Sequence, residues 1–258
     1  MPNPLAAITG ASAGIGAVFA RKLAAQGYDL ILIARRRERL EQLAAEVAPR
    51  HAEPYVADLT DAEATGKLAC RLAGEERLAL LVNNAGFGVH GRFYEVPFAG
   101  QAQMVSVHIG ATMGLTHAVL PGMVAHNQGA IINVASVAGF LRSPKSVGYC
   151  AAKAWINAFS EGLAVELRRA GSAVVVQALC PGYTYTEFHD VAGVNRASIA
   201  KSLWLTAEDV VDASLAGLAR RRLYVVPGWR YKLAVAIGTR LPATWRVALE
   251  ASQPRKRG

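Results

Sequence analysis

The sequence predicts an α/β fold, a doubly wound parallel sheet in a single domain with helices on both faces. Three observations predict it. Apolar runs of strand length alternate with helix-length stretches along most of the chain. The 258 residues suit one α/β domain and are too few for two full ones. Apolar residues make up 52% and charged residues 18%, which supplies a large core and excludes general disorder.

Each element follows in order. Residues 5–8 are an apolar run that ends in Thr9-Gly10. Residues 17–26 read as a helix closed by Gly27, since glycine readily takes the left-handed conformation that ends helices. Residues 29–34 are almost continuously apolar, as in a strand buried on both faces. Residues 37–47 carry helical periodicity through Leu40, Leu43, Ala44 and Val47, and stop before Pro49. Strands are expected at 54–57 and 78–82, with a helix at 61–72 between them. One long helix is expected over 101–126, then a strand over 130–135 interrupted by Asn133. A second long helix over 148–170 stops at Gly171, and a strand follows at 173–179. Thr206 and Asp209 are spaced as a capping box for a helix over 206–221, which leads into a last strand at 223–226. Residues 184–205 lack periodicity and are long for a simple connection, which favours a lid.

The net charge of +9 is unevenly placed. Residues 1–218 hold 18 basic and 18 acidic residues, whereas 219–258 hold ten basic residues against Glu250 alone. The body is therefore neutral. Without a basic recognition helix or zinc spacing, nucleic-acid binding is not expected. Cys70, Cys150 and Cys180 are odd in number and far apart, so they form neither a metal site nor a disulfide framework; a reduced, cytoplasmic setting is the plain expectation. The opening Met1-Pro2-Asn3-Pro4-Leu5 has no basic segment before a long apolar core, which argues against a secretory signal. No apolar run approaches the ~18 residues of a membrane-spanning helix.

The first strand runs into Thr9-Gly10-Ala11-Ser12-Ala13-Gly14-Ile15-Gly16, and a helix follows at once. Gly10 permits a tight turn, Gly14 lets the backbone approach a pyrophosphate, and Gly16 lets the helix pack close to the sheet. The free N–H groups of the helix start, with Ser12, Ala13 and Ile15 around them, face the phosphates. This is a Rossmann-type dinucleotide cradle. An acidic residue after the second strand would accept bonds from an NAD ribose. This chain instead has Arg35, Arg36 and Arg37 there. Three cations beside a positive helix end are unfavourable unless an anion joins them, and a 2′-phosphate is one. NADP is thus the expected cofactor, with Arg35 its first phosphate ligand and Arg36 its second. Asp58-Leu59 follows the third strand; Asp58 either meets the adenine or caps the next helix.

Tyr149 and Lys153 lie four apart in a helical segment and share one face. Ser136 follows the fifth strand, at the sheet edge where ligands bind in such folds. A tyrosine serves as a general acid near neutral pH only if its pKa falls from about 10. A neighbouring ammonium and a nicotinamide cation both act in that direction. With Ser136 holding a substrate oxygen, the set suits hydride transfer to a carbonyl carbon with proton delivery to its oxygen.

Taken together, Thr9 to Gly16, Asn83-Asn84-Ala85-Gly86, Ser136, Tyr149-Cys150-Ala151-Ala152-Lys153 and Pro181-Gly182 resemble the short-chain dehydrogenase/reductase family, over about residues 5–226. The glycine pattern and length resemble its shorter branch of roughly 250 residues. The segment Asn133 to Phe140 looks closest to bacterial carbonyl reductases of broad or unassigned range, a group similar to ketoacyl and hydroxysteroid reductases. The resemblance implies that Tyr149 is the general acid/base. Lys153 would lower the Tyr149 pKa and bind the nicotinamide ribose, and Ser136 would orient the substrate. Asn83, Asn84, Ala85 and Gly86 would support the sheet and line the adenine-ribose side, and Pro181, Gly182 and Thr184 would face the nicotinamide. It also implies a homodimer or homotetramer built through the long helices.

One position departs from the family. Its fourth catalytic residue, an Asn, is replaced here by His108. A main-chain role survives the exchange, whereas a side-chain role changes, and a histidine can itself carry protons. His108 also motivates a second reading of the whole chain, as an NADP-binding regulator or scaffold with little turnover.

Residues 1–226 are thus expected to be the catalytic dinucleotide-binding domain, with 184–205 its lid. Tyr185, Phe188, Val191, Val194, Ile199, Leu203 and Trp204 make the lid apolar and suit it to a small hydrophobic carbonyl or alcohol. Residues 227–258 are expected to be a basic amphipathic tail, split into two short helices by Pro242. Three fates are open for it: packing on the body with a frayed Arg255-Lys256-Arg257 end, peripheral contact with an anionic membrane, or contact with an anionic acyl carrier.

Overall fold

Strands β1 (Leu5–Thr9), β2 (Asp29–Ala34), β3 (Ala52–Val56), β4 (Leu78–Asn83), β5 (Ala130–Val134), β6 (Val175–Leu179) and β7 (Tyr224–Val225) form one parallel sheet in the order β3-β2-β1-β4-β5-β6-β7. The computed structural model describes residues 2–188, 196 and 199–252, with the backbone alone at 249, 250 and 252. The chain crosses the sheet between β3 and β4. The crevice between the carboxyl ends of β1 and β4 is therefore the switch point where such sheets take ligands.

Period-two alternation explains the two cores. In β2, Leu30, Leu32 and Ala34 pack on one face and Ile31 and Ile33 on the other, all buried. The first face is covered by α1 (Gly14–Ala25), α2 (Arg37–Glu46) and α7 (Ala207–Ala219). The second is covered by α3 (Ala62–Ala73), α5 (Thr112–Ala125) and α6 (Val147–Arg169). Full burial of one such Leu or Ile stabilises the fold by about 1.5–3 kcal/mol. Asn133, the polar interruption in β5, is wholly buried. Its amide donates to Ser160 Oγ, and its carbonyl accepts from Asn83 Nδ2 at 2.9 Å. One hydrogen bond thus joins two buried asparagines across β4 and β5, and Asn83 Oδ1 is left without a partner.

The single helix expected over 101–126 is three pieces. α4 (Phe98–Val105) passes through a π turn (Ser106–Ala111) into α5. A π turn inserts one extra residue and leaves the apolar pattern otherwise intact, so periodicity does not reveal it. The other elements agree with expectation to within a few residues. Thr206 Oγ1 accepts from the Asp209 N–H, as the capping spacing predicted. The N-cap of α3 is Asp61, not Asp58; Asp58 instead accepts from the N–H and hydroxyl of Thr60.

Beyond β7, α8 (Trp229–Gly238) and α9 (Ala243–Ser252) flank Pro242, the split the proline predicted. No helix among the described residues is long and apolar enough to cross a membrane.

Candidate active site

The glycine turn is built around left-handed backbone. Gly10 has φ +67° and Gly14 φ +53°. A Cβ on Gly16 would stand 2.3 Å from the Gly10 carbonyl, so the turn closes only on glycine. Thr9 ties β1 to the end of β4: its hydroxyl donates to Val82 O and accepts from the N–H groups of Asn84 and Ala85. The Asn84 side chain donates to the Thr9 carbonyl at 2.8 Å. Ala13, the N-cap of α1, offers no side-chain cap, and the first turn holds no acidic residue. Its N–H groups remain available to an anion. The cradle therefore fits a dinucleotide pyrophosphate. Ile15 is half-buried against the core on one face of the sheet, and Leu59 is buried in the core on the other.

The arginine cluster differs from expectation in its partners. Arg35 lies 3.9 Å from Asp58, Arg36 2.9 Å from Glu187, and Arg37 3.7 Å from Glu41. Each cation already faces a carboxylate, which answers the helix-end conflict without a phosphate. Arg36 is the one that reaches the cradle, donating to Ser12 Oγ from Nε and Nη2 at 3.2 and 3.1 Å. Asp58 is held below its usual carboxylate range by the Thr60 N–H first, against the opposing effect of burial, and also by the Thr60 hydroxyl and the Arg35 charge.

Ser136 follows β5 and caps a short 3₁₀ turn (Val137–Gly139); its hydroxyl accepts from the Ala138 N–H at 3.1 Å and donates to the Pro181 carbonyl at 3.3 Å. Tyr149 and Lys153 stand one turn apart on α6, with the ammonium 5.7 Å from the phenol ring centre. Lys153 is 4% exposed and donates to the Val134 carbonyl at 2.7 Å. Burial is the largest influence on all these groups. It pushes the Tyr149 phenol above its usual value, where a lowering was expected; the Ser136 hydroxyl acts the other way. Burial also brings Lys153 down to about 7 and pushes the Cys180 thiol beneath it up to about 12.

His108 sits in the π turn, 1% exposed, with its ring edge-on to Tyr149 at 5.8 Å. Its Nε2–H donates to the Phe87 carbonyl at 2.8 Å, which leaves Nδ1 as a buried acceptor. A Cβ on Gly86 would lie 2.3 Å from His108 Cε1, so the glycine of the Asn-Asn-Ala-Gly segment makes room for the imidazole. Burial first, and the Lys153 charge second, hold its pKa down to about 3. Near neutral pH it is uncharged, so it does not carry a proton as imidazolium.

Described residues of the 184–205 segment pack against Tyr149 and against one another. Phe188 lies 5.5 Å from the Tyr149 ring, and Tyr185 stacks on Trp204 at 4.6 Å. Thr184 is buried and bridges to Leu205, and its hydroxyl donates to the Gly182 carbonyl at 3.0 Å. Val191 and Val194 lie outside the described residues. Two partners of this lid were not legible in the sequence. Glu187 binds Arg36, 151 residues away. Tyr231 of α8 packs its ring where a Gly182 Cβ would be, and its hydroxyl accepts from the Tyr183 N–H and donates to the Leu203 carbonyl.

Among the described residues, no group of three or more His, Cys, Asp or Glu could hold a metal. The three cysteines are free, Cys150 and Cys180 buried and Cys70 exposed.

A family described as short chain dehydrogenase matches residues 4–196. Sulfoacetaldehyde reductase 2 of Chromohalobacter salexigens is 36% identical over 214 residues, covering 80% of this chain and 84% of that protein. The very-long-chain 3-oxoacyl-CoA reductase of Anas platyrhynchos is 33% identical over 195 residues; the match takes in 72% of this chain but spans only 62% of that longer protein. Among solved structures, a short-chain dehydrogenase from Sphingobium yanoikuyae in complex with NADPH superposes with a TM-score of 0.84 at 32% identity, covering 99% of this chain and 98% of that one.

Proposed function

The chain belongs to the short-chain dehydrogenase/reductase family of NAD(P)-dependent oxidoreductases, and from that premise we propose that it is an NADPH-dependent reductase of ketones or aldehydes on hydrophobic substrates. The single observation that carries this reading is the grouping around Tyr149: the Ser136 hydroxyl bonds its phenol, Lys153 Nζ lies 5.7 Å from its ring centre and Phe188 packs 5.5 Å from the ring. When bound, the reduced nicotinamide supplies the hydride. Ser136 holds the substrate oxygen by a hydrogen bond. Tyr149 delivers its proton to that oxygen as hydride reaches the carbon. Lys153, one helical turn along, stabilises the resulting phenolate and holds the nicotinamide ribose with Thr184, Gly182 and Pro181 at the ring. His108 acts as a positioning residue: wedged between Gly86 and Tyr149, it fixes the phenol's edge and offers Nδ1 as an acceptor.

Arg36 and Arg35 hold the 2′-phosphate. The Ser12–Arg36 contact supports that assignment, because it places a guanidinium fork at the cradle. Phe188, Tyr185 and Trp204 in the lid support a hydrophobic substrate. So does the Anas relative, a very-long-chain 3-oxoacyl-CoA reductase by name. The exposed Val105, Met113 and Val124 on the 98–125 helices and Val165 on α6 support a homodimer or homotetramer through those surfaces. On the tail, exposed Trp229, Leu233, Ile237 and Trp245 beside Arg230, Lys232 and Arg240 support contact with an anionic membrane surface.

NADPH oxidation across a panel of aromatic ketones, fatty aldehydes and 3-oxoacyl thioesters tests the activity. Turnover on several members, faster with NADPH than with NADH, is the expected result. Tight NADPH binding with no turnover on any member would overturn it.

A further inference from the structure

Helix α8 lies beyond the residues 4–196 that match the family, yet it reaches the loop assigned above to the nicotinamide. Tyr231 is its one buried residue, whereas Trp229, Leu233 and Ile237 are more than half exposed. Gly228, at φ +80°, starts the helix close to Leu205: a Cβ there would stand 3.3 Å from Leu205 Cδ2. From that start the Tyr231 ring passes beneath Gly182 and fills the place into which a Gly182 Cβ would project. Gly182 sits between two groups of the site. The Pro181 carbonyl accepts from the Ser136 hydroxyl, and the Thr184 hydroxyl donates to the Gly182 carbonyl. The ring is therefore the floor of this loop.

The phenol hydroxyl does a second thing. Tyr183–Tyr185 and Leu203–Leu205 run side by side as a short parallel ladder: the Tyr185 N–H donates to the Leu205 carbonyl, and the Leu205 N–H to the Tyr183 carbonyl, each at 2.9 Å. The next rung of a parallel ladder would join the Tyr183 N–H to the Leu203 carbonyl. The Tyr231 hydroxyl stands between them, accepting from the Tyr183 N–H at 3.0 Å and donating to the Leu203 carbonyl. A hydroxyl can be donor and acceptor at once, so it completes the rung; a phenylalanine ring cannot.

We propose that Tyr231 is a positioning residue of the nicotinamide site: its ring supports Gly182 from below and its hydroxyl is the inserted rung that fixes the Pro181–Thr184 loop. The inference rests on the cofactor reading above, which sets the nicotinamide against Pro181, Gly182 and Thr184. A loop already held in place spends less of the binding energy on being ordered. Loss of the rung therefore weakens the grip on the nicotinamide half and leaves the adenosine half alone.

NADPH and adenosine 2′,5′-bisphosphate share the adenosine end, and NADPH alone carries the nicotinamide. Both are titrated calorimetrically into full-length wild type and variants, with near-ultraviolet circular dichroism to show that each is folded. Tyr231→Phe is expected to bind NADPH about fivefold more weakly, with bisphosphate affinity held within about twofold. A merely structural role would lower the melting temperature and leave the ratio of the two affinities unchanged. A second arm does not depend on the first. Gly182→Ala drives a methyl group into the Tyr231 ring and is expected to weaken NADPH about tenfold; in a Tyr231→Leu background, where the colliding ring atoms are gone, the same change should cost less than about twofold. If folded Tyr231→Phe binds both ligands as wild type does, or loses both equally, the inserted rung is overturned and the cofactor reading stands. If Gly182→Ala costs as much with Tyr231→Leu as without it, the supporting ring is overturned. If wild type does not bind NADPH, the cofactor reading fails and takes this inference with it.

Discussion

Two regions of this crevice handle charge in opposite ways. Around Tyr149, ionisable groups are buried and sparsely paired: Lys153 has a backbone carbonyl as its hydrogen-bond acceptor, and His108 holds an uncharged ring against the phenol. Around residues 35–39, four arginines are half exposed, and each faces a carboxylate across water-accessible space. Burial shifts titration and makes single atoms matter in the first region. Solvent screens the second, so its arginines act by number and geometry. On the proposed reading, the same chain keeps its proton chemistry dry and its cofactor recognition wet.

Substitutions can break this contrast, and those in the dry region are expected to cost most. Leaving the phenol itself for last, Lys153→Met is expected to lower kcat by about 10²–10³-fold in steady-state assays, because it removes the amine beside the phenol, which steadies the phenolate when protonated. It also has a stability signature. Between pH 7 and 10.5 the unfolded lysine keeps a proton that the folded one has lost, so unfolding free energy rises with pH across that window. Urea titrations of Lys153→Met should lack that rise, and a retained rise would contradict the buried-amine account.

His108→Asn is next. With its pKa held down to about 3, His108 stays neutral while the unfolded chain protonates below about 6.5, so stability falls as pH drops from 6.5 toward 3. For a wholly buried ring that loss is of order a few kcal/mol. Denaturation midpoints of His108→Asn should decline less steeply over that range, and an unchanged acid slope would contradict it.

The wet region should give smaller and more selective effects. Arg36→Ala is expected to raise the KM for NADPH about tenfold and that for NADH less than twofold, with Arg35→Ala weaker in the same direction. Equal effects on both cofactors would remove the 2′-phosphate role. Smallest of all, Arg37→Ala breaks only a helical pair with Glu41, worth about 0.3–0.5 kcal/mol, and kinetics with either cofactor should not change. A large effect there would mean that the cluster acts as one unit.

What the sequence revealed was what local chemistry dictates. Gly10 and Gly14 could be read because only glycine takes their positive φ cheaply. Tyr149 and Lys153 could be read because helical spacing puts them on one face. Most of the strands were legible as apolar runs because both faces of the sheet are covered; the edge strand β3, with Glu53 and Pro54, is only half-buried. Long-range contacts were not. Nothing near Glu187 announces Arg36, and nothing near Tyr231 announces Gly182. The π turn that presents His108 leaves no mark on periodicity, and the direction of the Tyr149 shift depends on burial that only the folded crevice creates. The contacts of the first tail helix were equally hidden: Arg230 and Tyr231 donate to the carbonyls of Ser202 and Leu203.

The most direct test of the central claim compares Tyr149→Phe with wild type on a hydrophobic ketone that the panel identifies, with NADPH affinity measured alongside. The account predicts that kcat/KM falls by about 10³-fold or more while NADPH binds within threefold of wild type. A variant that keeps most of its turnover would contradict the assignment of Tyr149 as the proton donor.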